Sequence, residues 1–200
     1  MLVGHAWHNT CMSHADVRPR TANLLGSLSL AVADRMRAAT EAAAGHAGSG
    51  PAALAALSTY LEGEPIDALG RSLGLTHSAA VRLVDRLEES GFVERGRGVD
   101  GRSVSVVMTA KGRRAGREIL DARQRALGEV LDSLNPSERR TFEGVCEKLL
   151  GGLTASRADA RMICRLCDPD ACGHYDGRCP VTRAADRAGE RPEAVASRRV

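Results

Sequence analysis

A cluster of cysteines close to the C-terminal end of this 200-residue chain is the feature that most directly suggests chemistry. Four of the six cysteines fall within sixteen residues, in the spacing C-x2-C-x4-C-x6-C, with one histidine among them. The candidate ligands are Cys164, Cys167, Cys172, His174 and Cys179. A C-x2-C turn allows two sulfur atoms to point at one centre, and four cysteine or histidine ligands complete a tetrahedral zinc site. The spacing therefore predicts metal or redox chemistry rather than structural disulfides.

Five candidate ligands compete for four positions around a zinc ion, and the sequence does not choose among them. One solution uses all four cysteines, and the other replaces Cys172 with His174. An iron–sulfur cluster is less favoured, because only the pair Cys179-Pro180 fits ferredoxin motifs. A thiol redox switch is a further alternative, and it can coexist with zinc because zinc thiolates are themselves oxidised. The segment 163–181 has few large aliphatic side chains, so zinc would supply its folding energy.

Basic residues form the second group with a chemical meaning. The net charge of the chain is +3, but residues 71–117 carry ten basic and five acidic residues, a net charge of +5. A local basic patch on a near-neutral protein is typical of phosphate binding. The candidates for phosphate contacts are Arg71, Arg86, Arg95, Lys111, Arg113 and Arg114. Such contacts set the affinity for nucleic acid and its salt dependence rather than the sequence preference.

The elements that must position these residues are mostly helices. The chain has one Trp, two Tyr and two Phe, so its core must be built from Leu, Val and Ala, which favours helices. Apolar residues at spacings of three and four predict helices over 21–44, 52–61, 66–73, 76–90, 110–134 and 136–150. Residues 92–96 and 104–109 predict two strands joined by a charged, Gly-rich turn. A helix-turn-helix followed by a β-hairpin is a winged helix. The predicted fold class is therefore mainly α with a small β-hairpin wing, flanked by long helices and a cysteine-rich extension.

The second helix of a helix-turn-helix fits the major groove of DNA, where each base pair presents a distinct pattern of donors and acceptors. The outward residues near the start of this helix are Thr76, His77, Ser78, Ala79 and Arg82. Arg82 could make a bidentate contact with guanine. The tip of the hairpin carries Arg97 and Arg102, which the negative potential of a narrow minor groove would attract.

Residues 73–113 also carry a series of short motifs in a fixed order. They are R-L-V-D-R-L-E at 82–88, G-F-V-E-R at 91–95, D-G-R at 100–102 and M-T-A-K-G at 108–112. In this order and spacing, the segment resembles the MarR family of bacterial transcription regulators. The flanking helices fit as well, so the resemblance covers about residues 21–153. The chain departs from the family at Ala79 and Val81, where the family often has Thr or Ser.

The resemblance implies a fold, a partner and a mode of action. A MarR-like protein is an obligate homodimer whose terminal helices, at 21–44 and 110–153 in this chain, interlock. Its two winged lobes, at 51–113 in each chain, read a palindromic operator in double-stranded DNA. The resemblance also implies that Asp100 orients Arg102 for insertion into the minor groove. It further implies repression that is relieved by an oxidant, a metal or a small ligand bound between the helical and reader regions.

The remaining features bound the class of protein. Residues 1–20 lack periodicity and predict a flexible arm, and residues 182–200 predict a disordered tail. No apolar run approaches 18 residues and the N-terminus has no signal pattern, so we expect a cytoplasmic protein without a membrane partner. No P-loop, dinucleotide fingerprint, G-x-S-x-G or H-E-x-x-H motif occurs, so we do not expect an enzyme. The alternative to DNA binding is an interaction module whose winged helix and zinc knuckle bind protein or RNA.

Overall fold

The computed structural model describes residues 14–98 and 104–189, with side chains from residue 18 onward. The elements in these ranges are α1 His14–Ala44, α2 Gly50–Ala56, a π-helical turn Leu57–Leu61, α3 Ile66–Leu73, α4 His77–Glu89, β1 Val93–Arg97, β2 Val104–Met108, α5 Ala110–Leu131, α6 Pro136–Leu153, α7 Arg157–Ile163 and α8 Pro180–Arg187. The predicted fold class, mainly helical with one antiparallel hairpin, is confirmed.

Local sequence signals explain where helices α3, α4 and α6 begin or end. Helix α3 ends at Gly74, which adopts a φ of 65° and so turns the chain without a Cβ clash. Thr76 then caps α4, since its hydroxyl accepts a hydrogen bond from the backbone N–H of Ala79. Asn135 and Glu138 form a capping box at the start of α6.

The core lies beneath the helix-turn-helix and against α5. Its fully buried side chains include Leu54, Leu57, Leu69, Leu87 and Ile119. Small residues let the elements approach closely at the edge of this core. A Cβ at Gly112 would lie 2.0 Å from the carbonyl oxygen of Phe92, so α5 can pack there only with glycine.

The hairpin is anchored to the helices at its base. Strands β1 and β2 pair antiparallel, with Val93 opposite Met108 and Arg97 opposite Val104. The loop before α3 extends this pairing, because Gly63 N–H donates to Val106 O at 2.9 Å and Val106 N–H donates to Glu64 O at 3.1 Å. The wing therefore projects from a fixed base beside α3.

Beyond small shifts at helix ends, three segments differ from the predictions. Helix α1 begins at His14, so residues 14–20 are helical rather than part of the flexible arm. Residues 182–187, predicted to be disordered, belong to α8, because Val181, Ala184 and Ala185 bury one face of that helix. The residues just before the first cysteine of the cluster form a helix, α7, that was not among the predicted helices. The rest of the arm (1–13), the wing tip (99–103) and the rest of the tail (190–200) lie outside the described residues.

Within residues 14–98 and 104–189, no helix combines the length and apolarity needed to cross a lipid bilayer.

Candidate nucleic-acid interface and cysteine cluster

Helix α4 is held against α3 by its buried face and presents a polar face to solvent. Ala80, Leu83, Val84 and Leu87 are buried. Contact between the two helices is tight, since a Cβ at Gly70 would lie 3.1 Å from the Cβ of Ala80. Of the residues predicted to face outward, Ala79 is half-buried and four are exposed: Thr76, His77, Ser78 and Arg82. The sequence correctly identified which side of this helix is free.

Three of the four exposed residues, Thr76, His77 and Ser78, have side-chain hydrogen bonds within the chain. The Thr76 hydroxyl is occupied by its capping bond to Ala79 N–H, and it lies 3.3 Å from the Ser78 hydroxyl. The Nδ1 atom of His77 lies 2.6 Å from the carboxylate of Asp67 on α3. His77 therefore retains only Nε2 for an outside contact. Asp67 was not predicted as part of the site, because only the fold brings α3 beside the start of α4.

Arg82 and Arg86 stand one turn apart on the free face of α4. Both are exposed, and in the described part of the chain neither guanidinium has an ion-pair partner. Each keeps its full set of donors for a base edge or a phosphate.

Three of the predicted phosphate contacts are satisfied within the chain instead. Arg95 forms ion pairs with Asp85 and Glu88, which tie the first strand to α4. Arg113 donates to Glu62 at 2.8 Å and to the carbonyl of Met108 at 2.7 Å.

Lys111 is engaged in a similar way. It donates to the carbonyl of Ser90 at 2.8 Å and lies 4.6 Å from the ring centre of Phe92. A sequence shows basic residues but not the acceptors that the fold brings to them. Arg71, Arg86 and Arg114 remain exposed.

The wing is described only at its base. Arg97 is exposed at the end of β1. Asp100 and Arg102, the predicted minor-groove pair, lie outside the described residues.

Two helices leave apolar side chains uncovered. Helix α6 has no buried residue, although Phe142, Val145, Leu149 and Leu153 recur at helical spacing and are 39–69% exposed. Helix α1 shows the same feature, with exposed side chains at Leu24, Leu25, Leu28 and Leu30. Apolar faces of this extent are typical of interaction surfaces.

An open groove runs between α1 and α5. It has a volume of about 380 Å³ and is lined by Arg35, Ala39, Ala122, Arg125, Ala126 and Glu129. Arg35 and Glu129 form an ion pair across it. The groove lies between two of the long helices, whereas the predicted ligand position lies between the helical and reader regions.

The four cysteines of the cluster converge. All four line one cavity of about 200 Å³. The four thiols surround this cavity as a ring, and Cys164 and Cys172 each lie close enough to Cys167 and Cys179 for the thiols to shift one another's pKa. The four thiols are not arranged as a metal centre in this structure. Among the described residues, no group of three or more His, Cys, Asp or Glu side chains is placed to hold a metal ion.

His174 takes no part in this ring. It does not line the cavity, and its Nδ1 atom lies 3.0 Å from the Thr182 hydroxyl. Of the two ligand sets that the sequence left open, the fold brings together the four cysteines.

Hydrogen bonding divides the four sulfurs into two kinds. The hydrogen bond with Cys164 lowers the pKa of Cys167 and of Cys179, and the N–H of Thr182 at the start of α8 lowers that of Cys179 further. The pKa of Cys164 is raised by the same hydrogen bonds, and burial raises the pKa of Cys172. Two sulfurs thus favour the thiolate, which is the form that binds metals and attacks electrophiles.

Arg123 is a neighbour of the cluster that the sequence did not reveal. It lines the same cavity from α5, and its charge helps to lower the pKa of Cys167. Its Nε atom is buried and has no hydrogen-bond partner among the described residues. On a helix with several other arginines, no local signal distinguishes it, because its position depends on how α5 packs against the cysteine segment.

Comparison with known proteins relates this arrangement to one family. Residues 60–103 match the profile of the MarR family. Over 96 residues, the chain is 30% identical to the transcriptional repressor MprA of Escherichia coli K12, an alignment that covers 48% of this chain and 54% of MprA. The chain thus spans about half the length of the curated relatives it matches.

Solved structures show the same fold. YusO of Bacillus subtilis superposes with a TM-score of 0.57 at 20% identity, covering 69% of this chain and 97% of YusO. The MarR family protein Rv2887 of Mycobacterium tuberculosis, in complex with DNA, gives a TM-score of 0.50 at 26% identity, covering 62% of this chain and 96% of Rv2887. The matched family and curated relatives are transcriptional regulators rather than enzymes.

Proposed function

The resemblance of this chain to the MarR family is confirmed, and from that premise we propose that the protein is a homodimeric, sequence-specific DNA-binding repressor of transcription. The observation that carries the proposal is the free face of α4. On that face, Ser78, Arg82 and Arg86 are exposed, while nearby cations such as Arg95 are neutralised within the chain. Two exposed arginines without ion-pair partners in the described residues can donate hydrogen bonds to the acceptors on base edges in the major groove.

The residues at the start and on the exposed face of α4 have two roles: some contact the DNA, and others hold the helix in position. Arg82 reads a guanine through two parallel hydrogen bonds, and Ser78 contacts a base or a phosphate. Arg86, one turn further from the helix start, contacts a phosphate. Thr76 and His77 hold the start of α4 in place through the cap and the pair with Asp67.

The wing supplies the second contact with DNA. Its base is fixed by the pairing of β1 with β2 and by the loop before α3. Arg97 lies at the exposed end of β1. Arg102, oriented by Asp100, enters the minor groove as the resemblance implies.

The partner that covers the apolar faces of α1 and α6 is a second copy of this chain. Both faces lie on the terminal helices, which are the helices that interlock in the family resembled. A pair of readers related by a two-fold axis matches a palindromic operator. The repression is relieved by a small ligand, for which the arginine-lined groove between α1 and α5 is the candidate position.

The test is the affinity of the full chain for the DNA upstream of its own gene, measured by fluorescence anisotropy over a range of salt concentrations. We expect log Kd to rise linearly with log salt, and a competitor of scrambled sequence to bind much more weakly. If the chain shows no preference for any palindromic duplex, the proposal fails in favour of an interaction module that binds protein or RNA.

A further inference from the structure

The cysteine segment is a second small folding unit with an unusually polar centre. Its buried core consists of Ala160, Cys179, Val181 and Ala185, with Leu150, Ile163, Cys164 and Cys172 packed against it. So few apolar side chains bury little surface, and units of this size usually need a metal or disulfides to fold stably.

The backbone holds the four sulfurs in place through tight turns. Cys167 N–H donates to Cys164 O at 2.8 Å, and Cys172 N–H donates to Asp168 O at 3.1 Å. Cys164 ends α7 and Cys179 caps α8, so two of the sulfurs are fixed by helix ends. The ring of thiols is thus a product of ordered backbone, not of flexible side chains meeting by chance.

The surroundings of the four thiols would stabilise a negative charge. Four thiolates around one Zn²⁺ carry a net charge of −2. The buried Nε of Arg123 beside the ring has no partner in the described structure. A thiolate sulfur of such a centre would accept its hydrogen bond, which removes the cost of a buried unsatisfied donor.

The segment also joins two functional regions of the chain. On one side, the Tyr60 hydroxyl donates to Arg161 O at 3.3 Å, and the terminal methyl of Met162 packs over Gly74 in the turn of the helix-turn-helix. Leu166 packs into the main core. On the other side, α8 and Leu150 of α6 share the small core. The four thiols lie where these contacts meet.

We propose that Cys164, Cys167, Cys172 and Cys179 form a single tetrahedral Zn²⁺ site that holds α7 and α8 between helix α6 and the turn of the helix-turn-helix. Sulfurs about 2.3 Å from a tetrahedral ion lie about 3.8 Å from one another, so the four thiols that line the cavity must draw together around the ion. Binding displaces the remaining thiol protons to solvent as four metal–sulfur bonds form. Thiolate ligands favour Zn²⁺ over Mg²⁺ or Ca²⁺.

The first experiment measures metal binding by the full chain. Under reducing conditions, we expect one equivalent of zinc per chain after purification, and an intense tetrahedral thiolate spectrum when Co²⁺ replaces it. Cys172→Ser should abolish stoichiometric binding. Cys146→Ser, which changes a cysteine on α6 outside the ring, and His174→Gln should both retain it. Binding that depends on His174 but not on Cys172 would overturn the four-cysteine site, as would an iron–sulfur chromophore or no bound metal.

The second experiment tests the bracing role without DNA. Removal of zinc by a chelator, with reductant held constant, should increase amide hydrogen exchange in α7 and in the turn around Gly74, and leave the centre of α5 protected. Unchanged exchange at Gly74 would overturn the brace. Only the further expectation, that chelation weakens operator binding, rests on the proposed function. Failure to bind any DNA with zinc in place would contradict that function and leave the metal site standing.

Discussion

The imidazole of His77 lies 2.6 Å from the carboxylate of Asp67, so the first residue of α4 is tied to α3 across the turn of the helix-turn-helix. Both side chains are exposed, which places one negative charge at the edge of the proposed DNA-binding face. The pair thus has two opposing effects: it orients His77, and it repels phosphates.

Asp67→Asn separates these two effects. Removal of the charge should strengthen binding to non-specific duplex by a few fold at low salt. Loss of the orientation of His77 should lower the ratio of operator to non-specific affinity. Anisotropy titrations with both duplexes measure the two quantities. Asp132→Asn, which removes a carboxylate paired with Arg139 at the end of α5, is the control and should change neither; equal behaviour of the two variants would contradict a role for the pair.

Arg82→Ala should alter sequence preference without altering stability. The lost bidentate contact should cost about 1–3 kcal/mol at one base pair of each half-site and leave other positions unaffected. A library of single-base operator variants measures this preference. Because Arg82 has no ion-pair partner within the described residues, the urea midpoint should stay unchanged. A uniform loss of affinity across all duplexes would show that Arg82 contacts a phosphate instead.

Arg95→Ala should lower the stability of the protein without changing how DNA binding depends on salt. Its two ion pairs join the base of the wing to α4, and partly exposed pairs contribute about 0.2–1 kcal/mol each. The free energy of unfolding should therefore fall by about 1 kcal/mol, while the salt dependence of DNA binding stays the same. A reduced salt slope would mean that Arg95 contacts phosphate after all.

Helical periodicity and the order of the wing motifs were enough to predict the winged helix and the exposed side of α4. The partners of each charged side chain could not be predicted in this way. Arg95 contacts Glu88, Lys111 contacts the carbonyl of Ser90 and Arg113 contacts Glu62. These pairs form only because the fold brings the two positions of each pair together. Helix α8 was missed because its buried face depends on alanines, whose small side chains give a weak periodic signal. The choice between Cys172 and His174 likewise depended on turns that spacing alone does not specify.

The apolar face of α6 predicts how the dimer can be broken. Leu149→Glu would place a charge in the interface, where burial without a partner is costly. Sedimentation velocity at micromolar concentration should then show monomers, and operator affinity should fall with dimerisation. Glu147→Gln, on the same helix and exposed, is the matched control and should remain dimeric. A dimeric Leu149→Glu protein would place the interface elsewhere.

The buried Nε of Arg123, which has no hydrogen-bond partner in the described part of the chain, gives a test of the metal site that leaves the four ligands intact. Arg123→Gln removes the donor and positive charge beside the ring, and changes of this kind typically reduce metal affinity about 10–100-fold. Competition with a zinc chelator of known affinity measures the change. Arg125→Gln, on the same helix but lining the other groove, should bind zinc as the unaltered chain does. Equal zinc affinity of both variants would contradict a role for Arg123 at the site.

Two glycines of α5 make a matched pair for testing how the long helix packs on the reader. A Cβ at Gly112 would lie 2.0 Å from the carbonyl oxygen of Phe92, whereas nothing lies within 4 Å of a Cβ at Gly128. Gly112→Ala must therefore shift the backbone at the start of the wing and should destabilise the protein by about 1–3 kcal/mol or more. Gly128→Ala should stabilise it by about 0.5–1 kcal/mol, because alanine is the better helix former. Urea unfolding at one fixed protein concentration measures both, and a neutral Gly112→Ala would show that α5 does not pack this closely on Phe92.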